Sequence, residues 1–302
     1  MQKVIVTGGA GFIGSTLADE LIDRGIEVTI IDDLSAGKRE NVNDKANFIE
    51  CDLATVSEME LTSHFNGTDV VFHLAALARV QPSIEDPIRY NNANVNGTLN
   101  VLYAAHKAGV KRVVYSASSS AYGDATIFPT PETHSTNPLS PYGLQKLVGE
   151  QYCKVFSEVY GLDTCSLRYF NVYGERMNLK GAYCLVMGIF AQQMLDNKPL
   201  NITNDGNQRR DFTYVDDVVN ANILAAQSTE DLKGAVFNIG NGANYSVNEV
   251  ADKFGGEKQY GEQRLEPFET LADNTKARNI LGWEPKGDLM TWIGKYKKDL
   301  GI

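Results

Sequence analysis

The chain has 302 residues, 43% hydrophobic and 22% charged, enough for one large domain or two intertwined lobes around a full core. Its formal net charge of −10 argues against nucleic acid as a partner, because phosphate backbones bind to basic surfaces. No apolar run reaches membrane-spanning length, no signal-peptide pattern follows Met1, and the four cysteines form no C-x-x-C pair; these features predict a cytoplasmic protein with free thiols, no membrane association and no metal.

In chain order, β-branched runs at Lys3–Thr7, 27–31, 47–51, Val70–His73 and 112–116 predict five strands. Apolar residues at helical spacing in 12–24 and 93–107 predict helices between them. This alternation specifies an α/β chain with a parallel sheet covered on both faces. Ser140 as N-cap, Pro141 in the first turn and Gly161 at the end bound a further helix. A sixth strand follows at 165–169. Beyond Asn171, helices are predicted at 182–195, 215–228, Val247–Phe254 and 290–300. Strands are predicted at 200–203 and Ala235–Ile239, and a loop rich in glycine and charge at 255–269. The expected organisation is a doubly wound domain of residues 1–170, with 205–233 packing back onto it. A smaller mixed α/β lobe would comprise 171–204 and 234–302.

The first strand runs into Thr7-Gly8-Gly9-Ala10-Gly11-Phe12-Ile13-Gly14 and then a helical pattern. The spacing Gly8, Gly11, Gly14 permits a tight turn and close approach of the backbone to a pyrophosphate. The helix that follows points its amides and positive dipole end at that anion. The second strand closes on Asp32-Asp33, and a carboxylate at Asp32 can take both hydroxyls of an adenosine ribose while repelling a 2′-phosphate. The cofactor read from these residues is NAD rather than NADP. Asp52-Leu53, after the third strand, either meets the adenine or caps the strand end.

Tyr142 and Lys146 form Y-x-x-x-K near the start of the capped helix and share one of its faces. Upstream, Tyr115-Ser116-Ala117-Ser118-Ser119-Ser120 leaves the fifth strand at its carboxyl end, where ligands bind in open α/β sheets. Tyrosine is a poor base at its free pKa of about 10. Lowering it by ~3–4 units requires roughly 4–5 kcal/mol in favour of the phenolate. A nearby ammonium and a nicotinamide ring supply that charge.

Together these residues resemble the extended short-chain dehydrogenases/reductases, in the nucleotide-sugar epimerase family. The resemblance runs through the Gly8–Gly14 turn, His73-Leu74-Ala75-Ala76, Asn94-Val95-Asn96-Gly97-Thr98, the 118–123 run and Ser140-Pro141-Tyr142-Gly143. It continues through Arg168-Tyr169-Phe170-Asn171-Val172-Tyr173-Gly174, the 210–217 segment Arg-Asp-Phe-Thr-Tyr-Val-Asp-Asp, and Leu281-Gly282-Trp283, so it covers nearly the whole chain. It implies a Rossmann-type sheet and NAD-dependent 4-epimerisation of a UDP-sugar through a transient 4-keto intermediate. Ser118, Tyr142 and Lys146 would be the catalytic triad, with a register uncertainty of one residue among Ser118, Ser119 and Ser120. Phe12, Ile13, Asp33, Ala75 and Asn94 would join the cofactor site. Arg79, Asn171, Arg210 and Arg264 would meet the diphosphate or the sugar, while Arg209 is equally compatible with the surface. The 200–203 segment would border the uracil, and helices in 84–107 and 140–160 would form a homodimer.

Thr270 falls where this resemblance places the residue that gates the sugar pocket, and Gly181-Ala182-Tyr183 is similar to a segment of epimerases for N-acetylated sugars. Both imply UDP-N-acetylglucosamine and UDP-N-acetylgalactosamine as substrates, with UDP-glucose and UDP-galactose alongside. The rival reading is another nucleotide-sugar enzyme on the same scaffold: a uronate 4-epimerase, a decarboxylase or a 4,6-dehydratase. Residues 118–121 contain no acid to expel a 6-hydroxyl, which disfavours dehydration. A non-catalytic NAD-binding protein is the rival of another class, and retention of Ser118, Tyr142 and Lys146 argues against it.

Overall fold

The computed structural model describes residues 1–177, 186–261 and 267–302. Arg264 and the Gly181-Ala182-Tyr183 segment lie outside them. The first half runs β1 (Lys3–Thr7), α1 (Phe12–Asp23), β2 (Glu27–Asp32), β3 (Asn47–Glu50), α2 (Glu58–Phe65) and β4 (Val70–His73). Then come α3 (Val80–Glu85), α4 (Pro87–Asn91), α5 (Gly97–Lys107), β5 (Arg112–Ser118), α6 (Pro141–Tyr160) and β6 (Asp163–Tyr169). The second half holds β7 (Val172–Tyr173), α7 (Val186–Leu195), β8 (Leu200–Ile202), β9 (Arg209–Asp211), β10 (Thr213–Tyr214) and α8 (Val215–Gln227). It ends with β11 (Ala235–Ile239), β12 (Asn244–Ser246), α9 (Val247–Phe254), β13 (Lys258–Tyr260), α10 (Thr275–Leu281) and α11 (Leu289–Leu300).

Seven parallel strands form one Rossmann-like sheet in the order β11-β6-β5-β4-β1-β2-β3. Successive side chains leave opposite faces, so Val4, Val6, Ile30 and Phe72 pack with α1 and α8 through Leu17 and Val218. Ile5, Val71, Val113 and Tyr115 pack on the other face with Leu61, Val101 and Phe156. The strand order reverses at β1, which has β2 on one side and β4 on the other, and a crevice opens at the carboxyl ends there. A third core, around Phe190, Phe254 and Trp292, joins α7, α9 and α11.

The α6 boundaries follow from their caps. The Ser140 side chain accepts the Gly143 amide, Pro141 occupies the first turn, and Gly161 closes the helix at φ +68°. Elsewhere the expectations need correction. Ala235–Ile239, expected in the smaller lobe, is an edge strand of the large sheet, because its apolar run pairs with β6. Lys258–Tyr260, expected as loop, pairs in parallel with β8; three residues with no apolar alternation carry no periodic signal. The 93–107 helix begins as a wider π-helical turn over Asn92–Asn96, and α5 starts at Gly97. β5 extends to Ser118, two residues beyond its expected end.

Candidate active site

The crevice is a cleft of about 1190 Å³ that runs from the first glycine turn to β9 and the segment before α10. At one end, Gly8, Gly11, Phe12, Ile13 and Gly14 line it. A Cβ on Gly8, which sits at φ +71°, would lie 2.6 Å from the Ala75 amide nitrogen, and one on Gly14 would lie 2.2 Å from the Gly8 carbonyl oxygen. Glycine is therefore required at both positions. Gly11 is the N-cap of α1 with no side-chain cap, so the first amides of the helix are left for a ligand.

Asp32 closes β2 with its carboxylate accepting the Ala10 amide at 2.9 Å and the Leu34 amide at 2.8 Å. Burial pushes its pKa up, against the pull of those two amides. Each oxygen retains a lone pair for a further donor. Asp33 turns back to Ser35. The Asp52 carboxylate caps its own turn through the Ala54 amide and the Thr55 hydroxyl, while Asp52 and Leu53 both line the cleft. Ala75 lines it as well. Asn94 does not. Its side chain accepts the Leu77 amide at 2.8 Å and donates to the Leu77 carbonyl and to Gln145, both at 2.9 Å, a buried tie between α6 and the loop after β4.

Ser118, Ser119, Ser120, Tyr142 and Lys146 meet at the centre of the cleft. The Ser118 hydroxyl donates to the Ser120 hydroxyl at 3.1 Å, and both serines line the cleft with Tyr142. Burial raises the phenol above its ordinary pKa of 10, while Ser118 and the charge of Arg79 pull it down. Lys146, 4% exposed, donates to the Ser116 carbonyl at 2.7 Å. Burial lowers its pKa to about 8, with the charge of Glu150 opposing the shift.

At the far end lie Arg79, Asn171, Arg210 and Thr270. Asn171 donates to the Asp211 carbonyl at 2.9 Å and to the Thr270 hydroxyl at 3.3 Å. That hydroxyl also accepts the Asp211 amide at 3.2 Å. Arg210 donates to the Arg209 carbonyl at 2.9 Å and the Phe268 carbonyl at 3.3 Å. Arg209 is instead held by Asn244 and Glu249. Among the described residues, no group of three or more His, Cys, Asp or Glu side chains is arranged to hold a metal.

Several supporting residues were not found by sequence reasoning. The Ser83 hydroxyl accepts the Tyr142 amide at 3.1 Å. Glu150 and Arg168 form a buried two-pronged ion pair at 2.8 and 2.6 Å, which joins α6 to β6. His73 bridges Thr7 and Thr98, and burial pulls its pKa to about 3, so it is neutral. Glu150, four residues beyond Lys146, was findable from spacing. Ser83 carried no local signal.

A family model described as the NAD dependent epimerase/dehydratase family matches residues 4–240. The chain is 37% identical over 307 residues to the UDP-glucose 4-epimerase of Mycolicibacterium smegmatis, across 97% of each chain. The crystal structure of a UDP-glucose 4-epimerase with UDP-glucose, from Thermotoga maritima, is similar at a TM-score of 0.92 and 39% identity, covering 99% of this chain and 100% of that one. A UDP-N-acetylglucosamine 4-epimerase from Methanobrevibacter ruminantium, in complex with UDP-N-acetylmuramic acid, gives a TM-score of 0.92 at 36% identity, covering 98% and 97%.

Proposed function

The chain belongs to the NAD dependent epimerase/dehydratase family, and we propose that it is an NAD-dependent UDP-sugar 4-epimerase. The observation that carries this reading is the meeting of Ser118, Tyr142 and, one helical turn on, Lys146 in a cleft continuous with the glycine turn. The residues fit a dinucleotide: a glycine turn so close-packed that a Cβ at Gly8 or Gly14 would strike backbone, the uncapped start of α1, and the Asp32 carboxylate at the end of β2. In this reading Gly11, Phe12, Ile13 and Gly14 meet the pyrophosphate and Asp32 the adenosine ribose. Asp33, Asp52, Leu53 and Ala75 complete the wall. When bound, NAD would supply a reversible hydride acceptor and positive charge.

Tyr142, as phenolate, removes the proton from the 4-hydroxyl and later returns it to the 4-oxygen of the epimer. Ser118 hydrogen-bonds that oxygen throughout and keeps it within reach of the phenol. Lys146 holds the ribose hydroxyls beside the nicotinamide and contributes positive charge. Arg210 and Arg264 grip the diphosphate, with Asn171 beside them. The 4-keto sugar must turn over between the two proton transfers, and small walls at Ala76 and Ala78 leave room for it.

Thr270 is the gate in this reading. Its short side chain borders the cleft, which favours a sugar carrying a 2-acetamido group as well as one with a 2-hydroxyl. The enzyme works as a homodimer in a reducing cytoplasm; exposed apolar residues on α4 and α6 support the first and the buried thiols of Cys153 and Cys165 the second. The test is a panel of UDP-sugars given to wild type and Thr270→Tyr, with products resolved by chromatography. Wild type should interconvert both the acetylated and the plain pairs, and Thr270→Tyr should lose the acetylated pair alone. Release of a deoxygenated or decarboxylated sugar would overturn the reaction, and equal slowing of both pairs would overturn the gate.

A further inference from the structure

Asp211 ends β9, next to Arg210 in the wall of the cleft, and is fully buried. Backbone amides from two other parts of the chain converge on its carboxylate. One oxygen accepts the Asn241 amide at 2.7 Å, and the other accepts the Gly242 and Ala272 amides, both at 3.0 Å. Asn241 and Gly242 follow β11, and Ala272 belongs to the segment before α10. The three parts are packed closely: a Cβ on Gly240 would lie 2.9 Å from a carboxylate oxygen of Asp211 and 2.4 Å from the Cβ of Ala272. Burial pushes the Asp211 pKa up to about 6, against the pull of the three amides. The folded chain thus holds this proton more tightly than the unfolded one, so above that pH the ionised side chain lowers stability. A buried charge that does not stabilise the fold points to a geometric task.

The segment it holds, 268–273, borders the cleft through Thr270. On one side the Arg209 amide donates to the Phe268 carbonyl at 2.8 Å, and the Thr270 amide donates to the Arg209 carbonyl at 3.1 Å. On the other side the Thr130 amide donates to the Leu271 carbonyl at 2.8 Å, and the Asp273 amide to the Thr130 carbonyl at 3.0 Å. The Thr270 hydroxyl accepts the Asp211 amide and the Asn171 side chain, and the Asp211 carbonyl accepts that same side chain. Carboxylate, amide and carbonyl of one residue therefore place Ala272, Thr270 and Asn171, and Arg210 directly precedes it.

We propose that Asp211 is a positioning residue for the substrate end of the cleft: its buried carboxylate ties Ala272 to Asn241 and Gly242, and so sets where Thr270, Asn171 and Arg210 stand against the diphosphate and sugar. Asp211 touches no substrate and moves no proton. The proposal rests on the reading of this end as the place of a UDP-sugar.

The experiment compares wild type, Asp211→Asn, Thr270→Val and the double variant. Asparagine keeps the shape of the side chain but replaces one acceptor oxygen by a donor, which cannot accept an amide. UDP, which carries no sugar, is titrated calorimetrically into each protein, and its affinity should fall about tenfold in Asp211→Asn as the contacting groups shift. KM for the UDP-sugar should rise by a similar factor. NAD affinity should hold and kcat should stay within about twofold, because the displaced groups bind ground state and transition state alike. Thr270→Val, which loses the hydroxyl that joins Asn171 to β9, should weaken UDP about fivefold. The double variant should lie within about twofold of the weaker single variant, since both changes release the same segment. Joint loss of kcat, NAD affinity and melting temperature at unchanged KM would make Asp211 a general structural residue and overturn the proposal. If Asp211→Asn does not fold, Thr270→Val decides, and UDP affinity equal to wild type overturns the proposal. Weakened UDP beside a wild type that epimerises no UDP-sugar leaves the positioning standing and removes the assigned reaction. Unchanged UDP affinity in Asp211→Asn beside normal epimerisation by wild type removes the positioning and leaves the reaction.

Discussion

Lys146 is caught between burial and charge. Its amine is almost fully enclosed, donates to the Ser116 carbonyl and lies 5.0 Å from the centre of the Tyr115 ring. Burial brings its pKa from 10.5 to about 8. An amine that supports a phenolate must be charged, so kcat of wild type should decline as pH rises through about 8. The same shift fixes a stability trend. Between about 8 and 10.5 the unfolded chain binds this proton more tightly than the folded one, so wild-type stability gains with pH relative to a variant without the amine. Lys146→Met should therefore be the more stable protein at pH 7, by on the order of 3 kcal/mol, and the gap should narrow as pH approaches 10.5. Denaturant titrations at the two pH values check it. A constant gap would mean that the amine is not held near 8.

At the scale of elements, the β1–α1 junction is decided by backbone contact. The hypothetical Cβ of Gly14 falls 2.2 Å from the Gly8 carbonyl oxygen, and neither atom belongs to a flexible side chain that could give way. Gly14→Ala should cost about 1–3 kcal/mol through overpacking and weaken NAD by roughly tenfold or more, because the α1 amides must shift. Melting and calorimetric NAD titration read the two effects, and an alanine variant matching wild type in both would show the turn to be unconstrained. This junction was legible in the sequence because its glycine pattern lies within eight consecutive residues and the Gly14 contact is with Gly8 itself, although the Ala75 backbone against Gly8 comes from far along the chain. The caps of α6 were legible for the same reason. Ser83 was not, since it meets Tyr142 across 59 positions of sequence. Nor was the fate of Asn94, because an asparagine amide suits a ligand and a backbone equally well. Its partner Gln145 comes from 51 positions away. Pairings such as β13 with β8 are likewise set by tertiary neighbours, as the three residues Lys-Gln-Tyr have no pattern of their own.

At the scale of the whole molecule, α6 has two different sides. Lys146, Gly149, Glu150, Cys153 and Phe156 are buried against the sheet. Leu144, Val155 and Val159 are exposed, Val159 at 69%, and with half-buried Val148 and Tyr152 they follow the 3.6-residue period along one stripe. α4, packed against α6, adds Ile88 at 75% exposure. A helix of 20 residues is about 30 Å long, and a stripe of that length beside an exposed isoleucine is enough for a two-fold interface in which α6 meets its own copy. Sedimentation velocity on the 33.2 kDa chain should give a dimer at micromolar concentration, and Val155→Asp with Val159→Asp should give monomers. Because Tyr142 and Lys146 ride on the same helix, the monomeric variant should also lose part of its kcat, with NAD affinity less affected. A wild-type protein that sediments as a monomer would end the dimer reading. An active monomeric variant would show that α6 is held by Glu150, Arg168 and Ser83 within one chain, without help from a second copy.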